Sequence, residues 1–241
     1  MKRECRILLL FLAALLAGCG DDVSANDDEN DGAAPTTMTD ERDGQVYRIV
    51  TIGEQVWMAE NLRYEYKVNG AVYGNWCPPD EPFPNESGDC TTKGRLYTWG
   101  AAMDSVSTDC GKGMHCSSER DFDDSQSICP NGWRLPGWGD WRKLFGFVGG
   151  ESVAGTALKA SSGWEGNKNG TDAYGFSAFP SVFRNLDGFY QFGRDKACFW
   201  VSYDLTDEDA PCALIDFSTE ASKMFFNKGM GLAVRCVKDS D

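Results

Sequence analysis

Eight cysteines lie between Cys77 and Cys236, and no other feature constrains the fold as strongly. An even set in an exported chain reads as a disulfide framework of four bridges. Export is written at the N-terminus. Lys2, Arg3 and Arg6 precede an apolar run from Ile7 to Leu16, and Leu16-Ala17-Gly18-Cys19 follows at once. This is the pattern of a secretory signal ending in a lipobox, with cleavage before Cys19 and lipid on its thiol. The competing reading is an ordinary secretory signal that happens to end in Gly-Cys. The apolar run is too short to span a bilayer, which takes roughly 20 helical residues. Each buried CH₂ of an acyl chain contributes about 0.8 kcal/mol, so two or three chains hold a protein where one would not.

Proximity and strand logic pair Cys77 with Cys90, Cys110 with Cys116, Cys198 with Cys212 and Cys129 with Cys236. Zinc competes for Cys110, Cys116, Cys129 and His115, but the spacings match no standard finger.

Loss of residues 1–18 removes three basic residues and one acidic one from 23 and 37, leaving 20 against 36 and a net charge of -16. That balance argues against nucleic acid as a partner, which needs a cationic face. Residues 20–41 carry eight acids, no base and almost nothing large and apolar. Such a stretch cannot offset its ordering entropy, so residues 19–42 read as a lipidated cysteine and disordered tether. Acids just after the lipidated cysteine point to surface display on the outer membrane, or to a generic solvated spacer.

Residues 43–241 fit one domain. Val46–Ile52 and Gln55–Met58 around Gly53-Glu54 read as a β-hairpin. Residues 96–103 read as a short helix with Leu96, Trp99 and Met103 on one face. After Pro136, Trp138, Trp141, Leu144, Phe145 and Val148 form an apolar stripe at helical spacing, which Gly149-Gly150 ends. Asp140 favours the N-terminus of that helix. Short strands follow at 175–179, 189–192, 198–203, 212–217, 223–226 and 232–237. The fold class is α+β, one or two helices on a twisted, largely antiparallel sheet with long loops and disulfide staples.

Six ordered blocks carry a resemblance. They are Asp43–Tyr47, Gly53–Leu62, Gly94–Trp99, Cys129–Pro136, Gly170–Ala178 and Val234–Val237. Together they resemble the Fibrobacter succinogenes major paralogous domain family over about Asp43 to Lys238. The resemblance implies a secreted or lipid-anchored protein, mostly without assigned activity. A more distant likeness to the C-type-lectin-like and formylglycine-generating-enzyme folds implies that the Cys129–Cys236 bridge ties the helix region to the last strand.

No nucleophile elbow, P-loop or His-Glu-x-x-His is present, and the one histidine, His115, lacks partner motifs, so no catalytic residue is assigned. Trp76, Trp164 and Tyr203 lie near loops and are the candidates for stacking on a sugar. Trp57, Trp99, Trp133, Trp141 and Trp200 sit in patterned segments and belong to the core. Two acidic loops, Asp80/Glu81/Glu86/Asp89 and Asp204/Asp207/Glu208/Asp209, suit calcium in ligand type but match no standard spacing; solvated loops are the competing reading. No cofactor is required. The expectation is a lipid-anchored, surface-displayed binding or adhesion module directed at polysaccharide. The alternatives are an envelope component that binds other proteins, or an enzyme on a formylglycine-generating-enzyme-like fold.

Overall fold

The computed structural model describes residues 36–79, 88, 90–113, 116, 127–191 and 194–239. The signal, Cys19, His115 and the acids at 80, 81, 86 and 89 lie outside the described residues.

The chain opens with β1 (Thr37–Thr39), β2 (Val46–Ile52) and β3 (Gln55–Met58), followed by β4 (Lys67–Val68), β5 (Ala71–Val72) and β6 (Asn75–Trp76). A helical turn α1 (Cys90–Lys93), β7 (Leu96–Tyr97), and the turns α2 (Trp99–Ala102) and α3 (Ser105–Thr108) come next. β8 (Trp133–Arg134) leads into helices α4 (Trp138–Phe147) and α5 (Glu151–Leu158). A short 3-10 helix (Glu165–Asn167) follows, then β9 (Phe183–Arg184), β10 (Tyr190–Gln191), β11 (Lys196–Trp200), β12 (Asp209–Asp216), β13 (Ala221–Asn227), β14 (Leu232–Ala233) and β15 (Val237–Lys238). The architecture is mixed α+β, dominated by sheet.

Two larger sheets form. One has the order β1-β2-β3-β15-β8 and the other β13-β12-β11-β14-β7-β6, antiparallel except where β14 runs parallel to β11. The expected strand over 232–237 is therefore broken. β14 belongs to the second sheet and β15 to the first, and the chain crosses between them at Val234–Cys236. At the crossing the backbone pairs with the segment after β3, Leu62 N–H donating to Val234 O at 2.9 Å and Met58 N–H to Cys236 O at 3.0 Å.

The hairpin β2–β3 forms as its pattern dictates, with Ile52 opposite Gln55 and Gly53 at φ 63, a conformation glycine adopts without strain. Helix α4 buries its whole apolar stripe, Trp138, Trp141, Leu144, Phe145 and the following Val148. Gly137 N–H donates to Asp140 Oδ2 at 2.9 Å, closing the first turn, and Arg134 holds the same carboxylate through both its terminal nitrogens at 2.5 and 2.8 Å. The core tryptophans 57, 99, 133, 141 and 200 are all buried, and Trp141 stacks on Phe199 at 5.6 Å between ring centroids.

Three further expectations are corrected, and one helix is added. The fold begins before Asp43: β1 pairs with β2, and Asp40 is fully buried, held by Arg42 Nη2 at 2.6 Å. Residues 96–103 divide into β7 and α2 because Leu96 and Tyr97 are drawn into pairing with β14. Residues 175–179 make a single bridge, Lys159 to Ala178, and no strand. Helix α5 was not expected, because its Gly155 and Thr156 weaken helix propensity while tertiary contact of Gly155 with the turn before β13 holds it.

Candidate functional site

The crossover between the two sheets creates a buried charge. Arg235 sits in an apolar stretch and is 1 % exposed. Its Nε and Nη2 donate to Asn61 Oδ1 at 3.2 and 2.6 Å, Nη1 donates to Phe176 O, and Nη2 also approaches Ser177 O at 3.4 Å. The guanidinium lies 4.6 Å from the ring of Phe176 and 5.0 Å from that of Phe199, so the ring faces offset part of its lost hydration. Burial pushes Arg235 down to about 9, against a smaller upward pull from Asp172. Every hydrogen-bond acceptor it touches is neutral.

Above this group opens a polar cleft of about 450 Å³. β2 supplies Arg48, the segment after β3 supplies Glu60 and Asn61, and α1 supplies Thr91 and Thr92. The segment after α5 supplies Ser161 and Ser162, and the loop over 170–179 supplies Asp172, Ser177 and Phe179. α1 is anchored by the Cys77–Cys90 disulfide, which fixes where its threonines stand. The 170–179 loop is stitched to α5 by backbone bonds from Gly170, Thr171, Asp172 and Ala173 to Ala160, Thr156, Lys159 and Ala157.

The two carboxylates are already engaged. Asp172 accepts from Ser177 N–H at 2.7 Å and from its hydroxyl at 2.6 Å. Glu60 accepts from Arg48 N–H at 2.7 Å and lies 3.7 Å from Arg48 Nε. The hydroxyls of Thr92, Ser161 and Ser162 make no hydrogen bond among the described residues. The cleft thus presents hydroxyls, guanidinium edges and one aromatic ring, a set suited to an oxygen-rich ligand.

The aromatic candidates do not meet here. Trp164 is only 5 % exposed, its Nε1 donating to Ala178 O at 3.1 Å with the Lys159 ammonium 5.1 Å from its ring. Contrary to expectation, so buried a ring offers no face on which a sugar could stack. Trp76 is half-buried with the Arg184 guanidinium 3.9 Å over its face, and Tyr203 is half-buried with its hydroxyl 2.5 Å from Lys223 Nζ. Each ring has an intramolecular cation where a sugar would stack.

The second acidic loop divides as well. Asp207 and Glu208 are exposed, but Asp204 is buried and 2.6 Å from the equally buried Lys228 Nζ. Asp204 Oδ2 also accepts from Cys116 N–H at 2.8 Å. Asp204 is therefore a structural anion. No group of three His, Cys, Asp or Glu among the described residues is placed to hold a metal ion.

Of the expected disulfides, Cys77–Cys90 and Cys129–Cys236 are bonded. Cys198 and Cys212, diagonal neighbours on β11 and β12, stand as buried thiols with sulfurs 2.7 Å apart. Cys110 pairs with Cys116 as a thiol, and burial followed by that contact pushes Cys110 up to about 12.

The residues that line the cleft were not singled out as a site from sequence, although Asn61, Asp172, Ser177 and Arg235 all stand in the blocks that carry the family resemblance. A usable signal existed in Arg235, an arginine amid Leu232, Ala233, Val234 and Val237, since a charge in an apolar strand is buried with partners.

No curated protein and no solved structure matches this chain. The model of the Fibrobacter succinogenes major domain matches residues 50–238. That match takes in every residue that lines the cleft except Arg48 of β2, and this chain belongs to the Fibrobacter succinogenes major domain family.

Proposed function

We propose that the protein is a non-catalytic recognition module, lipid-anchored through Cys19 and displayed at the cell surface, that binds polysaccharide in the cleft above Arg235. The observation that carries this reading is convergence. Blocks distant in sequence, 59–61, 172–179 and 235, come together around one polar cleft lined by unengaged hydroxyls and the Phe179 ring. Sugars are held in this way, hydroxyl against hydroxyl or guanidinium, with an apolar ring face on one side. The C-type-lectin-like reading of the fold is kept as part of the proposal; the long Cys129–Cys236 bridge between the approach to β8 and the last strand supports it.

The test is retention of the full chain, purified in detergent, on a panel of neutral and acidic polysaccharides. Retention that falls on Phe179→Ala supports the reading, and a blank panel overturns it. Mass spectrometry of the N-terminal peptide tests the anchor, which requires a diacylglyceryl-modified Cys19, and protease shaving of intact cells tests display.

A second reading has its own support. β13 is an edge strand whose Met224 and Phe225 are 40 % and 44 % exposed, a surface on which an envelope protein could assemble. Crosslinking on intact cells that captures one defined envelope protein, lost on Phe225→Lys, would favour it.

A further inference from the structure

We propose that the cleft is specific for carboxylated sugar units, so that its ligand is an acidic polysaccharide. This rests on the glycan reading above and narrows it.

The argument is an accounting of charge and donors. Arg235 brings five N–H donors to the base of the cleft. Four hydrogen bonds to neutral oxygens are made by three of its nitrogens, which leaves an N–H of Nη1 unassigned. No carboxylate touches it. Arg48 has a side chain 49 % exposed; the contacts of its guanidinium are Ala59 O at 3.5 Å and Glu60 at 3.7 Å, both long. The carboxylates of the cleft are turned toward their own partners, Asp172 to Ser177 and Glu60 to the Arg48 backbone. A neutral sugar would use the hydroxyls of Thr92, Ser161 and Ser162 and bring no anion to either cation, leaving Arg48 its one long contact with Glu60. A sugar acid would satisfy the cations as well, and charge-assisted bonds are roughly twice as strong as neutral ones. The chain's overall acidity opposes an anionic polymer, but at physiological salt charges farther away than about 8 Å are largely screened. Within the cleft the two arginines stand against Glu60 and Asp172, and orientation decides: both carboxylates accept from their own N–H and O–H partners while Arg48 stays exposed to a ligand.

Glu60 is the internal competitor for Arg48, and this gives the proposal two opposite signs to test. The probe is polygalacturonate, set against its methyl ester, which keeps the backbone and loses the charge. Binding of the full chain is measured by isothermal calorimetry at moderate salt. The expected result is tighter binding of polygalacturonate than of the ester, weakened about tenfold or more by Arg48→Ala and strengthened severalfold by Glu60→Gln. The amide oxygen of glutamine still accepts the Arg48 backbone N–H, so this variant keeps its local structure, and thermal melting verifies that both variants fold. Equal affinity for acid and ester overturns the carboxylate inference and leaves the glycan reading standing. Binding of neither, with the neutral panel also blank, overturns both. Preference for the acid that Arg48→Ala does not diminish overturns the assignment to this cleft.

Discussion

Arg235 and Asn61 stand 174 residues apart in the chain, and the arginine's Nη2 lies 2.6 Å from the asparagine's Oδ1. The contact joins the crossover between the two sheets to the segment that leaves β3. Asn61 also donates to Lys93 O at 3.0 Å, so one amide braces three parts of the fold. Asn61→Ala removes the acceptor shared by two guanidinium N–H groups in a buried site. The expected loss is about 2–3 kcal/mol, read from urea denaturation. A loss within a few tenths would mean that the guanidinium finds other acceptors.

The two bonded disulfides differ in the loop they close, with sequence separations of 107 and 13 residues. In the chain-entropy model the longer loop is worth about 4.7 kcal/mol and the shorter about 3. Replacing Cys129 and Cys236 together by serine should therefore lower the urea midpoint more than replacing Cys77 and Cys90. The reverse order would show that α1 contributes more to native packing than its short loop suggests.

Gly155 lies in the middle of α5, where a Cβ would meet Glu220 O at 2.4 Å and Thr219 O at 2.8 Å. In an exposed helix Gly→Ala gains about 1 kcal/mol. Here the obstacle is backbone on both counts, and overpacking of that kind costs about 1–3 kcal/mol. Gly155→Ala should lower the melting temperature, while Gly146→Ala on α4, where nothing stands within 4 Å, should leave it unchanged or raise it.

Alkaline stability follows from buried groups with opposite signs. Burial raises the Tyr47 phenol to about 12 from 10.0, and raises those of Tyr97 and Tyr66 as well. Stability tied to a raised phenol is fully present below pH 10.0 and is lost as pH climbs through the folded value. Arg235, lowered to about 9 from 12.5, works the other way, since the native state sheds its proton first and the burial cost declines above about pH 9. The three raised phenols and the raised thiols of Cys110 and Cys212 outnumber the groups lowered by burial, Arg235 and Lys159, so the urea midpoint should fall between about pH 10 and about pH 12, and Tyr47→Phe should make that fall shallower. A midpoint that rises across this range would reverse the balance.

Cys198 and Cys212 are buried, and burial raises the Cys212 thiol well above its ordinary value. Thiolate is the reactive form, so in the folded, reduced protein both should resist alkylation and react promptly once urea is added. Protein exported to an oxidising compartment should yield a Cys198–Cys212 linked peptide in non-reducing digests, the bond forming before the core closes. An alkylated peptide from untreated native protein would contradict the protected state.

Periodic and local signals carried much of the fold. The alternation over 46–58 is enough to write a hairpin, and the stripe from Trp138 to Val148 is enough to write α4, because in both cases the residues that bury each other are near in sequence. The two bonded disulfide pairs were also legible, from proximity for Cys77–Cys90 and from strand logic for Cys129–Cys236. The five patterned tryptophans went into the core, whereas Trp164, read as loop-borne, is buried because the 170–179 loop folds back to accept its indole N–H.

What the sequence determined by itself was the class of the domain, its hairpin, its main helix, its family and its acidic, cysteine-stapled character, all of which depend on residue type and near-neighbour spacing. The tertiary structure alone decided where the last strand breaks, which aromatic rings are capped by cations, and that Arg48, Asn61, Asp172 and Arg235 share one cleft. Those outcomes depend on which segments come together in space, as Arg235 with Asn61 across 174 residues, and the energies of such contacts are set by burial and geometry, which no local pattern encodes.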